Sequence, residues 1–422
     1  MHSKPASPSQ DRIVAGSPAF RRINRAMAFG SFATFALLYC VQPLMPVLGQ
    51  RFALTAAQGS WVLSVSTATL ALALPVSGAL AERVGRKRMM TGAMLAAAIL
   101  TLLCACAQNY PQLLLLRGAL GLALGGMPAV AMAYLSEEVE PGSLGLSMGL
   151  YIGGSAFGGM LGRMASAFLS DVLSWRVALV AMGLAGLVAA IEFWRGLPRE
   201  RQARPTERAA DGQVAALLAG ARRHLADPAL AWLFALGFVL MGCFVSLFNV
   251  IGYRLLAPPY HLREGVVGAF SVLYLVGAYS AVWAGRLADR VGRRKVLWLV
   301  MSLMLAGLLL TLSNMLALIA CGMALYTFGF FAAHSVASSW VARRARAPQA
   351  MASALYLFFY YLGSSLLAPL AGLAWSGAGW PGVVALLAAA LGAGFLIALR
   401  LRSIAPLPAP LAAPLAVPAR LV

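Results

Sequence analysis

A chain of 422 residues that is 61% hydrophobic and only 11% charged, with a mean hydropathy of +0.81, falls outside the soluble globular class, where about a quarter of residues are charged. The formal charge of +20 raises a nucleic-acid partner as an alternative, and the placement of the cations decides against it. The apolar residues are gathered into blocks near the ~20 residues a helix needs to cross a bilayer. A spanning segment must satisfy its own backbone hydrogen bonds, so these blocks predict helices.

In chain order, residues 1–26 are rich in Ser, Pro and Arg with no apolar run, and are read as a disordered cytoplasmic tail and not as a signal peptide. Spans at about 27–49, 58–81, 89–107, 111–134, 143–168 and 174–194 make an N-terminal six-helix bundle over 27–195. A polar cytoplasmic linker at 196–228 separates it from spans at about 229–252, 265–285, 296–313, 315–341, 350–374 and 380–400, a C-terminal bundle over 229–402. Residues 403–422, rich in Pro and Ala, are a second tail not expected to fold. With the N-terminus inside, 27 of the 33 Lys and Arg residues face the cytoplasm. Four (Arg51, Arg176, Arg254, Arg263) lie outside, and two, Arg117 and Arg163, fall within spans. That bias follows the positive-inside rule, so the basic charge reports topology, with both termini cytoplasmic and no nucleic-acid partner.

The chain repeats itself. Gly78-Ala-Leu-Ala-Glu82-Arg83-Val-Gly85-Arg86-Lys-Arg88 follows span 2, and Gly285-Arg-Leu-Ala-Asp289-Arg290-Val-Gly292-Arg293-Arg-Lys295 follows span 8, at an offset of 285 − 78 = 207. A second echo sets Tyr151-Ile-Gly-Gly-Ser155 on span 5 against Tyr361-Leu-Gly-Ser-Ser365 on span 11, at offset 210. A duplicated six-helix unit in parallel orientation is one of the transporter plans. The reading is an all-α membrane protein of twelve helices in two bundles related by duplication. Gly85 and Gly292 suit tight turns, and Gly78 and Gly285 suit close helix approach.

At these residues the chain resembles the major facilitator superfamily, whose motif A is the repeated G-x-L-A-D-R-x-G-R-R/K pattern. Within it, Leu38-Tyr-Cys-Val-Gln42-Pro-Leu-Met-Pro46 and Phe331-Ala-Ala-His334-Ser are similar to the YnfM-like inner-membrane transporters, which are generally assigned to efflux. The resemblance implies that Glu82 meets span 11 and Asp289 meets span 5 at a helix N-terminus, where an anion is favoured, latching the inner gate. Glu82 stands where the pattern has Asp. It also matches the family's motif B arginine to Arg117, and motif C to Gly149, Gly153, Gly154 and Gly158, with Gly154 in place of a Pro.

The residues have readings of their own. Arg117 lies about 10 Å inside its span and must face a cavity or a partner. Tyr39 and Gln42 on span 1 are the expected neighbours, for substrate contact or proton coupling, with snorkelling to the interface as the alternative. Glu138, with Glu137 and Glu140, caps span 4 and is a candidate gate partner for Arg83 or Arg86. The span 5 glycines favour close packing over an antiporter role. Asn249, Tyr253, His334, Tyr356 and Tyr360 complete a candidate cavity, in which His334 is either a proton carrier or a buried structural residue. Offsetting Arg117 by 207 gives Ala324, and offsetting His334 back gives Met127, so each half holds one titratable group that the other lacks.

No Asp or Glu falls mid-span, and no P-loop run is present, which excludes a P-loop ATPase. The four His (His2, His224, His261, His334) are far apart in sequence, which leaves a polytopic membrane sensor or enzyme only a remote alternative, and Cys104 and Cys106 point away from each other on a helix, so no metal site and no cofactor is expected. The expected function is alternating-access, proton-coupled efflux of small organic molecules, with uptake or exchange of a metabolite as the alternative. The expected partners are that substrate, protons and the bilayer, and the chain is expected to act as a monomer.

Overall fold

The computed structural model describes residues 13–14, 16–198, 219–345 and 349–403. The predicted tails beyond these limits and the linker core at 199–218 lie outside the described residues.

Twelve helices can be traced among the described residues, and ten helical runs, Arg293–Leu310 not among them, are long and apolar enough to cross a membrane. The first ten of the twelve are α1 (Pro18–Phe52), α2 (Ala56–Val84), α3 (Arg86–Ala105), α4 (Tyr110–Glu138), α5 (Pro141–Val172), α6 (Trp175–Gly196), α7 (Pro228–Leu256), α8 (Glu264–Val291), α9 (Arg293–Leu310) and α10 (Leu316–Arg344). The last two, α11 (349–377) and α12 (380–403), are parts of one helical run, Gln349–Ser403, that turns at Ala378 and Gly379. Gly379 takes φ +59°, a conformation that disfavours a Cβ. Local chemistry sets the ends. Thr55 and Gln58 form a capping box on α2, and Asn109 and Ser174 cap α4 and α6. Asp227 accepts from the amides of Ala229 and Leu230 at the start of α7. Each cap satisfies N–H groups that a helix leaves unpaired.

α1 begins at Pro18, nine residues before the predicted boundary, so residues 18–26 are helix and not tail. Hydropathy locates the apolar core of a helix and not its ends. Here Ser17 accepts from the Phe20 amide at 3.1 Å, and Arg22 donates to the Arg195 and Gly196 carbonyls at 2.7 and 2.9 Å. Upstream, Ile13 pairs with the α4–α5 loop, donating to the Glu138 carbonyl at 2.9 Å and accepting from the Glu140 amide at 3.1 Å.

Three helices are interrupted. α1 stops at Tyr39, forms a 3-10 turn over Gln42–Leu44 and resumes at Met45. Pro43 and Pro46 lack the N–H that the carbonyls four residues earlier would accept, so the break follows from the sequence. Pro128 breaks α4 after Leu124 in the same way, and α8 passes through a 3-10 turn at Phe270–Leu273.

Helices α1–α6 and α7–α12 form two six-helix bundles. Within each, a glycine lets two helices touch backbone to backbone. A Cβ on Gly158 of α5 would strike the Phe32 carbonyl of α1, and a Cβ on Gly363 of α11 would strike the Phe238 carbonyl of α7. These equivalents lie at offsets of 363 − 158 = 205 and 238 − 32 = 206. The echo read at offset 210 is therefore not the structural register. It matches Gly153, which meets nothing within 4 Å, with Gly363, which is packed.

Candidate functional site

The two bundles touch at one end of the molecule. We call the end carrying the Lys- and Arg-rich turns at 85 and 292 the basic end, and the other the opposite end. At the opposite end Asp171 of α5 pairs with Arg263 at 3.2 Å. Gly372 of α11 abuts Ala57 of α2, Gly268 of α8 abuts Ala167 of α5, and Tyr253 of α7 lies against Gly49 and Gly59. Toward mid-membrane, Thr67 bonds Ser365 at 2.7 Å. At the basic end, by contrast, a Cβ on Gly78, Gly142, Gly145, Gly149 or Gly153 would meet nothing within 4 Å. The contacts described between the halves thus lie at the opposite end and toward mid-membrane, and these basic-end glycines border open space.

The deepest link joins the two halves. Gln42 Nε2 donates to Asn249 Oδ1 at 2.6 Å, and 249 − 42 = 207, the offset of the repeated motif. The bond joins α1 and α7, corresponding helices of the two halves, and both residues are buried. Gln42 Oε1 in turn accepts from Arg163 Nε. The Arg163 guanidinium lies 4.0 Å from the Tyr39 ring and 4.8 Å from the Tyr274 ring, bridging one half to the other by cation–π contact.

Arg163 was placed within a span by the sequence but not in the site, and Arg117 was. The structure gives the two different surroundings. Arg117 is 1% exposed, and each guanidinium nitrogen donates to a main-chain carbonyl. Nε reaches Val62 at 3.1 Å, Nη1 reaches Leu37 at 3.3 Å and Nη2 reaches Leu38 at 2.7 Å. It caps the broken end of α1, where carbonyls would otherwise be orphaned in hydrocarbon, and it does not bond Tyr39 or Gln42. The signal for Arg163 was its position in a span on a glycine-rich helix.

Toward the basic end lies an aromatic wall. His334 Nδ1 bonds the Tyr356 hydroxyl at 2.9 Å, and its ring lies 4.7 Å from Tyr360 and 6.1 Å from Phe330. Phe331 continues the wall to Tyr274 at 5.4 Å. His334, Tyr356 and Tyr360 are thus brought together, Tyr39, Gln42 and Asn249 form a second group, and Tyr253 belongs to the opposite-end contact.

The motif turns match in shape. Gly85 and Gly292 both have φ +93°, which favours glycine. Gly78 and Gly285 make no close approach, since Gly285 meets only Ser335 at 3.9 Å. Asp289 pairs with Arg293 at 2.8 Å and Arg343 at 3.2 Å and does not cap α5. Arg86 pairs with Glu137, Nη2 to Oε1 at 2.7 Å, one of the three acids expected to meet Arg83 or Arg86. Arg83 and Arg290 are exposed, and Glu82 lies in the last turn of α2. On α5, Gly154 and Gly158 pack on α1 as expected, while Gly149 and Gly153 face open space.

A family model described as Major Facilitator Superfamily matches residues 27–347 and 244–419. The chain is 47% identical over 389 residues to the inner membrane transport protein YnfM of Escherichia coli (strain K12), covering 92% of both chains. It is 46% identical over 375 residues to the uncharacterized MFS-type transporter YybF of Bacillus subtilis (strain 168), covering 89% of this chain and 92% of that one. Among solved structures, it superposes with a TM-score of 0.71 on a bacterial homologue of the human lysosomal transporter Spinster in an inward-facing, occupied conformation. That match has 15% identity and covers 92% of this chain and 97% of the other.

Proposed function

The chain belongs to the major facilitator superfamily, and from that membership we propose that it is an alternating-access exporter of small organic molecules in a bacterial inner membrane, coupled to protons. The positive-inside bias puts the basic end in the cytoplasm, and the state described is then open inward. Likeness to YnfM, an inner membrane transport protein, supports the location. The observation that carries the mechanism is the asymmetry of the contacts between halves, packed at the opposite end and open along α2 and α5 at the basic end.

In this reading the aromatic wall of Phe330, Phe331, His334, Tyr356 and Tyr360 contacts cargo entering from the cytoplasm. Its chemistry favours lipophilic or amphipathic molecules. His334 is the proton-accepting group of that wall, and its bond to Tyr356 sets which nitrogen remains for cargo or water. When the halves rock, the α5 face bearing Gly142, Gly145, Gly149 and Gly153 closes, and Asp289 exchanges Arg343 for the N-terminus of α5.

Purified protein in proteoliposomes, loaded with a panel of metabolites and drug-like compounds, tests this. Release of a panel member that needs the protein and quickens with an inwardly directed proton gradient is the expected result. Release indifferent to the gradient removes the proton coupling, and no protein-dependent release of any compound removes the transport reading.

A further inference from the structure

Among the described residues, three arginines lie buried in the helix bundle. Arg117 places all three guanidinium nitrogens on carbonyls. Arg254 donates to the Thr311 carbonyl, to the Ser313 carbonyl at 2.7 Å and to Tyr260 at 3.2 Å, capping the end of α9. Both are thereby explained as structural. Arg163 is not. Its Nε and Nη1 are used, on Gln42 and on the Gly159 carbonyl at 2.6 Å, while Nη2 donates to no described group. Its position nine residues from the end of α5 puts it ~13 Å deep. It forms no ion pair among the described residues, because the next acid along α5, Asp171, belongs to Arg263.

A second unfilled donor stands in the same place on the other half. Asn249 is 1% exposed, its Oδ1 is taken by Gln42, and its Nδ2 has no partner. Arg163, Gln42, Asn249 and Ser271 line one small cavity of about 30 Å³, room for a single small polar group and not for a whole molecule. Every one of these four side chains can donate a hydrogen bond and none is acidic. A fixed positive charge with surplus donors in a low-dielectric interior calls for an anion. The tyrosines that clasp the guanidinium lead, through Tyr274 and Phe331, onto the aromatic wall.

We propose that the cargo is an aromatic or amphipathic organic anion, its carboxylate held by Arg163 from one half and Asn249 from the other, its apolar body on the Tyr274–Phe331–Tyr360 wall. This rests on the transport reading above and names the substrate class of that site. One consequence concerns energy. With no carboxylate mid-span, an anion leaving the cell carries its own driving force, because an interior-negative potential of 100 mV sustains a gradient of roughly fifty-fold per charge. A proton entering in exchange moves charge in the same electrical sense, so the two couplings add.

The test uses proteoliposomes loaded with 1-naphthoate, 1-naphthamide and 1-naphthylmethylamine, with leak from protein-free liposomes subtracted and potentials set by potassium and valinomycin. Expected is export of naphthoate at least tenfold faster than of the amide or amine, faster still with the interior negative, and reduced at least tenfold in Arg163→Gln. Asn249→Asp places a carboxylate beside an intact Arg163 and is expected to lose naphthoate export equally, so it decides the matter if Arg163→Gln does not fold. Preferred export of the amide or amine, or naphthoate export unchanged in Asn249→Asp, overturns the anion inference and leaves the transport reading standing. If no compound moves with monodisperse protein, both fall.

Discussion

Arg117 and Arg163 carry the same charge into the same hydrocarbon depth, where insertion scales assign a cost of ~2.5–3.5 kcal/mol, yet their surroundings give them different work. Arg117 satisfies the Leu37 and Leu38 carbonyls in the last turn of α1 before its break, and the Val62 carbonyl of α2. Its loss leaves carbonyls unsatisfied at about 1–3 kcal/mol each. Arg117→Met is therefore expected to lower the melting temperature in detergent, at a cost of about 2–4 kcal/mol, while the transport that remains keeps its substrate preference and pH profile. A changed preference at unchanged stability would return Arg117 to the cargo site. The sequence made Arg117 prominent through the family motif. It held nothing to show that its partners would be main-chain carbonyls, because carbonyls carry no residue identity. Arg163 was equally visible as a charge in a span, and two of its neighbours, Tyr39 and Gln42, were themselves candidate cavity residues. Applying the motif offset to Gln42 gives Asn249, but α1 and α7 correspond at 238 − 32 = 206, and the contact between the two residues depends on how the halves dock.

At the scale of elements, the twelve helices were legible because a bilayer leaves the backbone no other choice. Their ends were not, since capping at Ser17 and Thr55 extends helices past the apolar limit. The prolines that break α1 and α4 were visible but lay inside runs whose hydropathy never falls. α5 shows how one glycine-rich stretch serves two purposes. Gly154, Gly158 and Gly162 meet α1 backbone, while Gly149 and Gly153, with Gly142 and Gly145 on the turns before them, are open. The sequence cannot sort these, because spacing alone does not say which face has a partner in a given state. Gly158→Leu is expected to destabilise the fold by about 1–3 kcal/mol through overpacking, measured by thermal unfolding. Gly153→Leu is expected to keep wild-type stability and to stop transport by blocking closure of the basic end. Equal stability losses in both would show that the two faces are packed alike.

For the whole molecule, the balance between halves is small by construction. Hydrogen bonds between helices in membranes average ~0.6 kcal/mol, so the pairs Gln42–Asn249, Thr67–Ser365 and Arg263–Asp171 together hold the opposite end by roughly 2 kcal/mol. That is the scale on which a two-state protein keeps its minor state within reach. The motif turns, Gly85 and Gly292, are alike in both halves, whereas Arg163 and His334 are not repeated. The most direct test of alternating access is a distance across the basic end. Spin labels at Gly145→Cys on α5 and Arg286→Cys on α8, in a background with the five native cysteines replaced, report it by double electron–electron resonance. The account predicts a long-distance population for the otherwise unaltered protein and a clear shift to a shorter one when Gln42→Ala and Asn249→Ala release the opposite end. A single distance, unchanged by those substitutions, would contradict it.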